Sequence, residues 1–164
     1  MKRLIINADD LGMNTARTHG IFQAFEQGVV RSATLIPTGD HADVAAKWAR
    51  EKGLPTGIHL SLTDGWAKSK PGDIETLLRP NGEFLDRDEL ERLLADDRID
   101  RTHIERELRA QVDWFFDAHG APTHVDGHHH IHIHPTVIPL LLPILDRYGI
   151  AFVRIPSEPL PPHG

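Results

Sequence analysis

Short apolar runs, several of them β-branched, alternate along this chain with longer stretches in which apolar residues recur at helical spacing. Residues 3–8 (RLIINA) predict a strand that runs into acidic residues and a glycine. Residues 14–28 set Ile21, Phe22 and Phe25 on one side and predict a helix. Residues 32–36 predict a second strand, after which Asp40 is placed to cap a helix that reaches Lys52 and stops at Gly53. A third strand is predicted at 56–62. The stretch 64–84 is rich in Gly, Pro and Lys and reads as a long loop, a common seat of function. Two helices follow at 86–95 and 101–119, the second opened by a Thr102/Glu105 capping box and closed at Gly120. Residues 123–127 predict a fourth strand, 136–148 a helix and 151–155 a fifth strand. Such alternation predicts an α/β fold, a parallel sheet or barrel of about five strands, with reactive residues gathered at strand ends.

Side-chain alternation then sorts the predicted strands into faces. In the third, Ile58, Leu60 and Leu62 face one way and Gly57, His59 and Ser61 the other; in the fourth, His124, Asp126 and His128 share a face. The apolar sets belong under helices, so His59 is expected to share an interior with His128. The first strand ends in Asp9-Asp10-Leu11-Gly12, where alternation does not say which carboxylate points inward. Two imidazoles and one carboxylate that converge with coordination positions left open suit a catalytic divalent metal.

Half of the twelve histidines lie within residues 122–135 (PTHVDGHHHIHIHP). One of them is expected to be a ligand, while its neighbours orient it, hold the loop or bind substrate; His124, Asp126 and His130 are assigned to such supporting or substrate-contact roles. A lone buried histidine is more often a hydrogen-bonded core residue, and an Asp-Asp pair is as readily a cap or turn. Convergence from three separate strands is what carries the metal reading. Trp66, on the long loop, is the expected aromatic contact to substrate, whereas Trp48, Trp114, Phe115 and Phe116 read as core. His19, His41, His103 and His119 have structural accounts on helices, and His163 lies in the terminal tail.

Composition removes whole classes of function. With 164 residues and 40% hydrophobic content the chain is expected to form one domain, residues 1–164. A formal net charge of -6 offers no basic footprint for nucleic acid. The absence of cysteine excludes a disulfide framework and thiolate chemistry and fits a reducing cytoplasm. No apolar run is long enough to span a membrane, and the first residues lack the pattern of a signal peptide, so a cytoplasmic protein is expected.

The segments LIINADDLGMN, GIHLSLT and PTHVDGHHHIHIHP, in this order and spacing, resemble the YdjC-like carbohydrate deacetylase family, which includes chitooligosaccharide deacetylases. IHIHPTV and YGIAFVRIPSEP are most similar to its hopanoid-biosynthesis branch. The resemblance covers nearly the whole chain. It implies a distorted β/α barrel, removal of acetyl groups from N-acetylated sugars or oligosaccharides, and one divalent ion on Asp10, His59 and His128 with Asp9 as general base. The ion is magnesium by resemblance, while the donor types alone suit zinc. Members of the family run longer and carry a later histidine-proline motif whose histidine protonates the leaving group. Here a proline-rich tail ends at Gly164, and closing a barrel takes about eight strands and about 250 residues, so the C-terminal part of the barrel is expected to be missing. Open sheet edges then make a homodimer the expected assembly. Two rivals are a glycoside hydrolase, which needs paired carboxyl groups about 5 to 9.5 Å apart and gives the histidines no role, and an inactive metal-binding fragment.

Overall fold

The structure, a computed structural model, describes residues 4–157. Its strands are β1 (Asn7–Leu11), β2 (Ser32–Leu35), β3 (Thr56–Leu60) and β4 (Val125–Gly127). Its helices are α1 (Thr15–Gln27), α2 (Ala42–Lys52), α3 (Arg87–Ala95), α4 (Arg101–Ala118) and α5 (Ile138–Arg147). The strands form one parallel sheet in the order β1-β2-β3-β4. Sequential order without a reversal is the winding of a β/α barrel; doubly wound sheets reverse their order partway. Ala33, Leu35, Ile58, Leu60 and Val125, alternate residues of three neighbouring strands, are fully buried in a core shared with Leu108, Val112 and Phe115 of α4 and Leu141 of α5. The other face of the sheet is polar: the side chains of Asn7, Thr34, His59 and Asp126 lie there.

Several elements depart from the expectation. The first strand is shifted toward the acidic residues because its partner β2 begins only at Ser32, opposite Asn7. A fifth strand does not form: Val153 makes an isolated bridge to Val125, through Val125 N to Phe152 O (2.9 Å) and Arg154 N to Val125 O (2.8 Å). β4 offers only three residues before the chain leaves the sheet, and Pro156 follows, which cannot donate to a ladder. His128 accordingly sits just past β4, at the start of the 3-10 segment His128–Ile133, rather than on the strand. The capping box belongs to α3, where Asp86 and Glu89 satisfy each other's backbone; α4 is capped by Asp100, which accepts from Thr102 N at 2.8 Å. α2 is capped at His41 rather than Asp40, with no side-chain bond, and ends as expected at Gly53 in the left-handed conformation.

The long loop after β3 is tied down by α4. The Glu107 carboxylate, fully buried, accepts from Lys68 N and Ser69 N, both at 2.9 Å. One turn on, Gln111 accepts from Ser61 N (3.0 Å) and donates to Ser61 O (2.6 Å). A buried carboxylate and amide at i, i+4 thus replace the hydrogen bonds this loop would otherwise take from water. Among the described residues no helix is long and apolar enough to cross a membrane.

Candidate metal centre

A bulge settles what alternation left open at Asp9-Asp10. Ala8 pairs with Ala33 and Leu11 with Leu35, so β1 spends three steps where β2 spends two. Without the extra residue Asp10 would take Leu11's place on the helix side. Asp10 absorbs the insertion with φ +62, a left-handed conformation that aspartate tolerates better than most residues. Leu11 takes the buried outer position, and both carboxylates reach the polar face.

The two then meet different partners. Asp9 is gripped by Arg154, Nη1 to Oδ1 at 2.9 Å and Nη2 to Oδ2 at 2.6 Å, and Asn7 Nδ2 donates to Oδ1 at 2.8 Å. Burial pushes the Asp9 carboxyl up, but the bonds from Arg154 and Asn7 outweigh it and hold the group below the usual carboxylate range. Asp10 turns Oδ1 toward His59 Nε2 (3.1 Å) and His128 Nδ1 (2.8 Å), and its Oδ2 accepts from Arg17 Nη1. Burial again raises its pKa, and the two imidazoles depress it far more. His59, 3% exposed, is opposite Asp126 in the sheet register, with Nδ1 at 2.6 Å from Asp126 Oδ1. Burial alone would lower the pKa of His59; Asp10 and Asp126 carry it up to about 9.

Three side chains thus point their donor atoms at one spot from β1, β3 and the end of β4. Asp10 Oδ1 is buried and finds no well-aligned hydrogen bond despite the two short contacts. Donors about 3 Å apart are what neighbouring ligands of one ion with bonds of about 2.1 Å require. The trio therefore fits a divalent cation. Among the described residues two other groups have comparably close donor atoms: Asp9, His59 and Asp126, and Asp64, His128 and His129. In the first of these, Arg154 already occupies both oxygens of Asp9 and lies 2.8 Å from Asp126 Oδ2, so a cation there would compete with a guanidinium.

The remaining histidines of the cluster do separate jobs. His132, buried, lies 2.9 Å through Nε2 from Arg154 O and so ties the segment that bridges Val125 to the loop. His129 meets Thr63 Oγ1 at 3.1 Å, and His134 accepts from Thr136 N at 3.2 Å. His124 packs over Gly57, where a Cβ would lie 2.7 Å from its ring, so a larger residue is excluded under it. His130 follows His129, both with positive φ, and its ring is in none of the three donor groups. Trp66 is 53% exposed on the loop after β3. Its neighbours Asp64 and Gly65 help Met13, Asn14 and Thr38 line a cleft of about 230 Å³.

Arg154, Arg17 and Asp64 were not singled out by sequence reasoning. The lone charge in the apolar run AFVRI is a signal for Arg154, since a cation drawn partly out of water favours an acidic partner. Nothing in the pattern marks Arg17, on an ordinary helical surface position, or Asp64, in a loop.

The fold is an α/β protein with a parallel sheet wound as in a β/α barrel, and at the C-terminal ends of its strands it carries a His-His-Asp cluster whose donor atoms could hold a metal ion. The chain belongs to the YdjC-like protein family, whose model matches residues 3–164. It is 42% identical over 156 residues to a carbohydrate deacetylase of Geobacillus stearothermophilus, an alignment covering 95% of this chain and 59% of that one. It is 37% identical to the human carbohydrate deacetylase (95% and 49% covered) and 35% to the chitooligosaccharide deacetylase of Salmonella typhimurium (90% and 57%). The chain thus spans roughly half to three-fifths of these relatives. A crystal structure of an Enterococcus faecalis protein, with a proposed role in cellobiose-phosphate cleavage, superposes with a TM-score of 0.84 at 28% identity over 95% of this chain and 59% of that one.

Proposed function

We propose that residues 1–164 form one YdjC-like domain that hydrolyses the acetamide of an N-acetylated sugar or oligosaccharide at the Asp10, His59, His128 centre. The observation that carries this reading is the convergence of those three donors beside a carboxylate, Asp9, that is oriented by an arginine and not consumed by the trio. A divalent ion held by the trio would polarise the acetamide carbonyl and lower the pKa of the attacking water, to about 7 where the ion is zinc. Asp9 takes the proton of that water. Its depressed pKa makes it a weak base, which an acidified water tolerates, and the Arg154 fork fixes its orientation through the reaction. Asp126 keeps the His59 ring turned toward Asp10. Trp66, exposed on the loop after β3, is the side chain we assign to stacking on a sugar ring. The relatives' deacetylase names support acetamide as the bond that is cut.

Magnesium is the ion we favour, on the resemblance noted above; imidazole donors also suit zinc. We infer a cytoplasmic location from the absence of cysteine. A homodimer would cover the apolar hollow of about 1020 Å³ at the N-terminal ends of the strands, where Leu4, Ile5 and Phe152 stand exposed.

The test is acetate release from N-acetylglucosamine oligomers by this chain. Activity is expected to vanish on chelation and to return with added magnesium or zinc. The Enterococcus faecalis neighbour gives a second reading, cleavage of a glycosidic bond. New reducing ends formed without acetate, and undiminished by chelation, would establish that reading instead.

A further inference from the structure

An imidazole that binds a cation through one nitrogen is held in place by what its other nitrogen meets. For His59 the other nitrogen meets Asp126. For His128, Nδ1 faces Asp10, and Nε2 lies 3.3 Å from Asp64 Oδ2. We propose that Asp64 is the positioning residue for His128, a carboxylate outside the trio that fixes the ring and so sets how tightly the ion is held. This rests on the reading of Asp10, His59 and His128 as the ion's ligands.

The loop that presents Asp64 is built to hold it still. Asp64 N donates to Ser61 Oγ at 3.2 Å, and Trp66 N donates to Thr38 O at 2.8 Å. Gly65, between them, has φ +79, and a Cβ there would lie 2.0 Å from Thr38 O, so only glycine lets the loop seat this closely. Beyond it the Glu107 carboxylate fixes the backbone at Lys68 and Ser69, and Gln111 fixes Ser61 on the near side. The aspartate is therefore anchored from both directions although its own side chain is 47% exposed.

His128 needs such support because its own backbone gives little. It begins a segment in which His129 and His130 adopt φ 52 and φ 58, left-handed conformations that cost non-glycine residues on the order of 1–3 kcal/mol each and persist only where surrounding contacts enforce them. Among those contacts are His129 to Thr63, on the loop of Asp64, and His132 to the backbone of Arg154. The competing use of the same atoms is a second ion shared by Asp64, His128 and His129. The two uses differ in the number of ions bound.

The experiment is a titration of the full chain with Mn2+, following free Mn2+ by its paramagnetic signal, with metal-free melting curves alongside. The wild type is expected to bind one ion. Asp64→Ala should bind one ion about 10–100-fold more weakly, the usual cost of losing such a partner, with an unchanged metal-free melting temperature. Asp64→Asn, whose amide oxygen can accept from the ring N–H at the same position, should recover part of the loss. His128→Ala should bind none. Wild-type affinity in Asp64→Ala together with loss of binding in His128→Ala would overturn the role of Asp64 while leaving the trio intact. Two ions in the wild type and one in Asp64→Ala would overturn it in favour of a second site. Binding unaffected by His128→Ala would overturn both the trio and the role of Asp64. A lowered metal-free melting temperature with no rescue by asparagine would overturn it in favour of a structural role in the loop.

Discussion

Asp9→Asn is expected to retain the ion and lose acetate release by roughly 10² to 10⁴-fold, the usual loss when general-base catalysis is removed. The amide has the shape of the carboxylate and keeps an oxygen for Arg154 Nη1 and Asn7; its NH2 gives up the bond from Arg154 Nη2, but none of the trio's donor atoms is altered. It cannot, however, accept the proton of the attacking water. Asp10→Asn is expected to fail differently. Asp10 supplies the oxygen that faces both imidazoles, and a neutral oxygen is a much weaker partner for a divalent cation. Its metal content should fall toward background, and activity with it. Elemental analysis and acetate release on both variants separate the cases. Loss of the ion in Asp9→Asn with retention in Asp10→Asn would mean that the two roles are exchanged.

Affinity for the ion is expected to rise about tenfold per pH unit and to level above about pH 9. The ligands must be unprotonated to bind. In the metal-free protein Asp10 and Asp126 overcome the effect of burial and hold the His59 proton until about pH 9. At pH 7.5 binding should therefore release about one proton from His59, which calorimetry in buffers of different ionisation enthalpy will count. The same raised pKa stabilises the metal-free fold. That contribution is fully present below the unfolded histidine value of about 6.5 and is lost as pH rises through about 9, so melting temperature should fall across this window without metal. With the ion bound the dependence should be much flatter. An affinity that does not change between pH 6.5 and 9 would contradict the charge assigned to His59.

What the sequence made legible was what depends on period and residue type. Alternation in GIHLSL put Ile58 and Leu60 outside and His59 inside, and the structure has them so, with His59 level with Asp126. His59 and His128, expected from alternation to share an interior, do lie together, and Asp10, which only the family resemblance singled out, joins them with donor atoms within 4.8 Å of one another. Alternation failed where the backbone leaves the regular strand. It could not orient Asp9 and Asp10, because a bulge with Asp10 at positive φ sends both to one face. It extended the fourth strand through His128, because nothing in HHH announces two successive left-handed residues. It counted a fifth strand in AFVRI, where apolar pattern is present but a partner of adequate length is not. Asp64, Arg17 and Arg154 escaped for a related reason: each acts on a residue in another element, and only the fold brings the two together.

The most direct measurement is the anomalous diffraction of crystals of this chain soaked in Mn2+. One peak is expected, bonded by Asp10 Oδ1, His59 Nε2 and His128 Nδ1, with Asp9 nearby and still paired to Arg154. A peak bonded instead by Asp9 and Asp126 with His59, or by Asp64 and His129 alone with His128, would contradict this assignment.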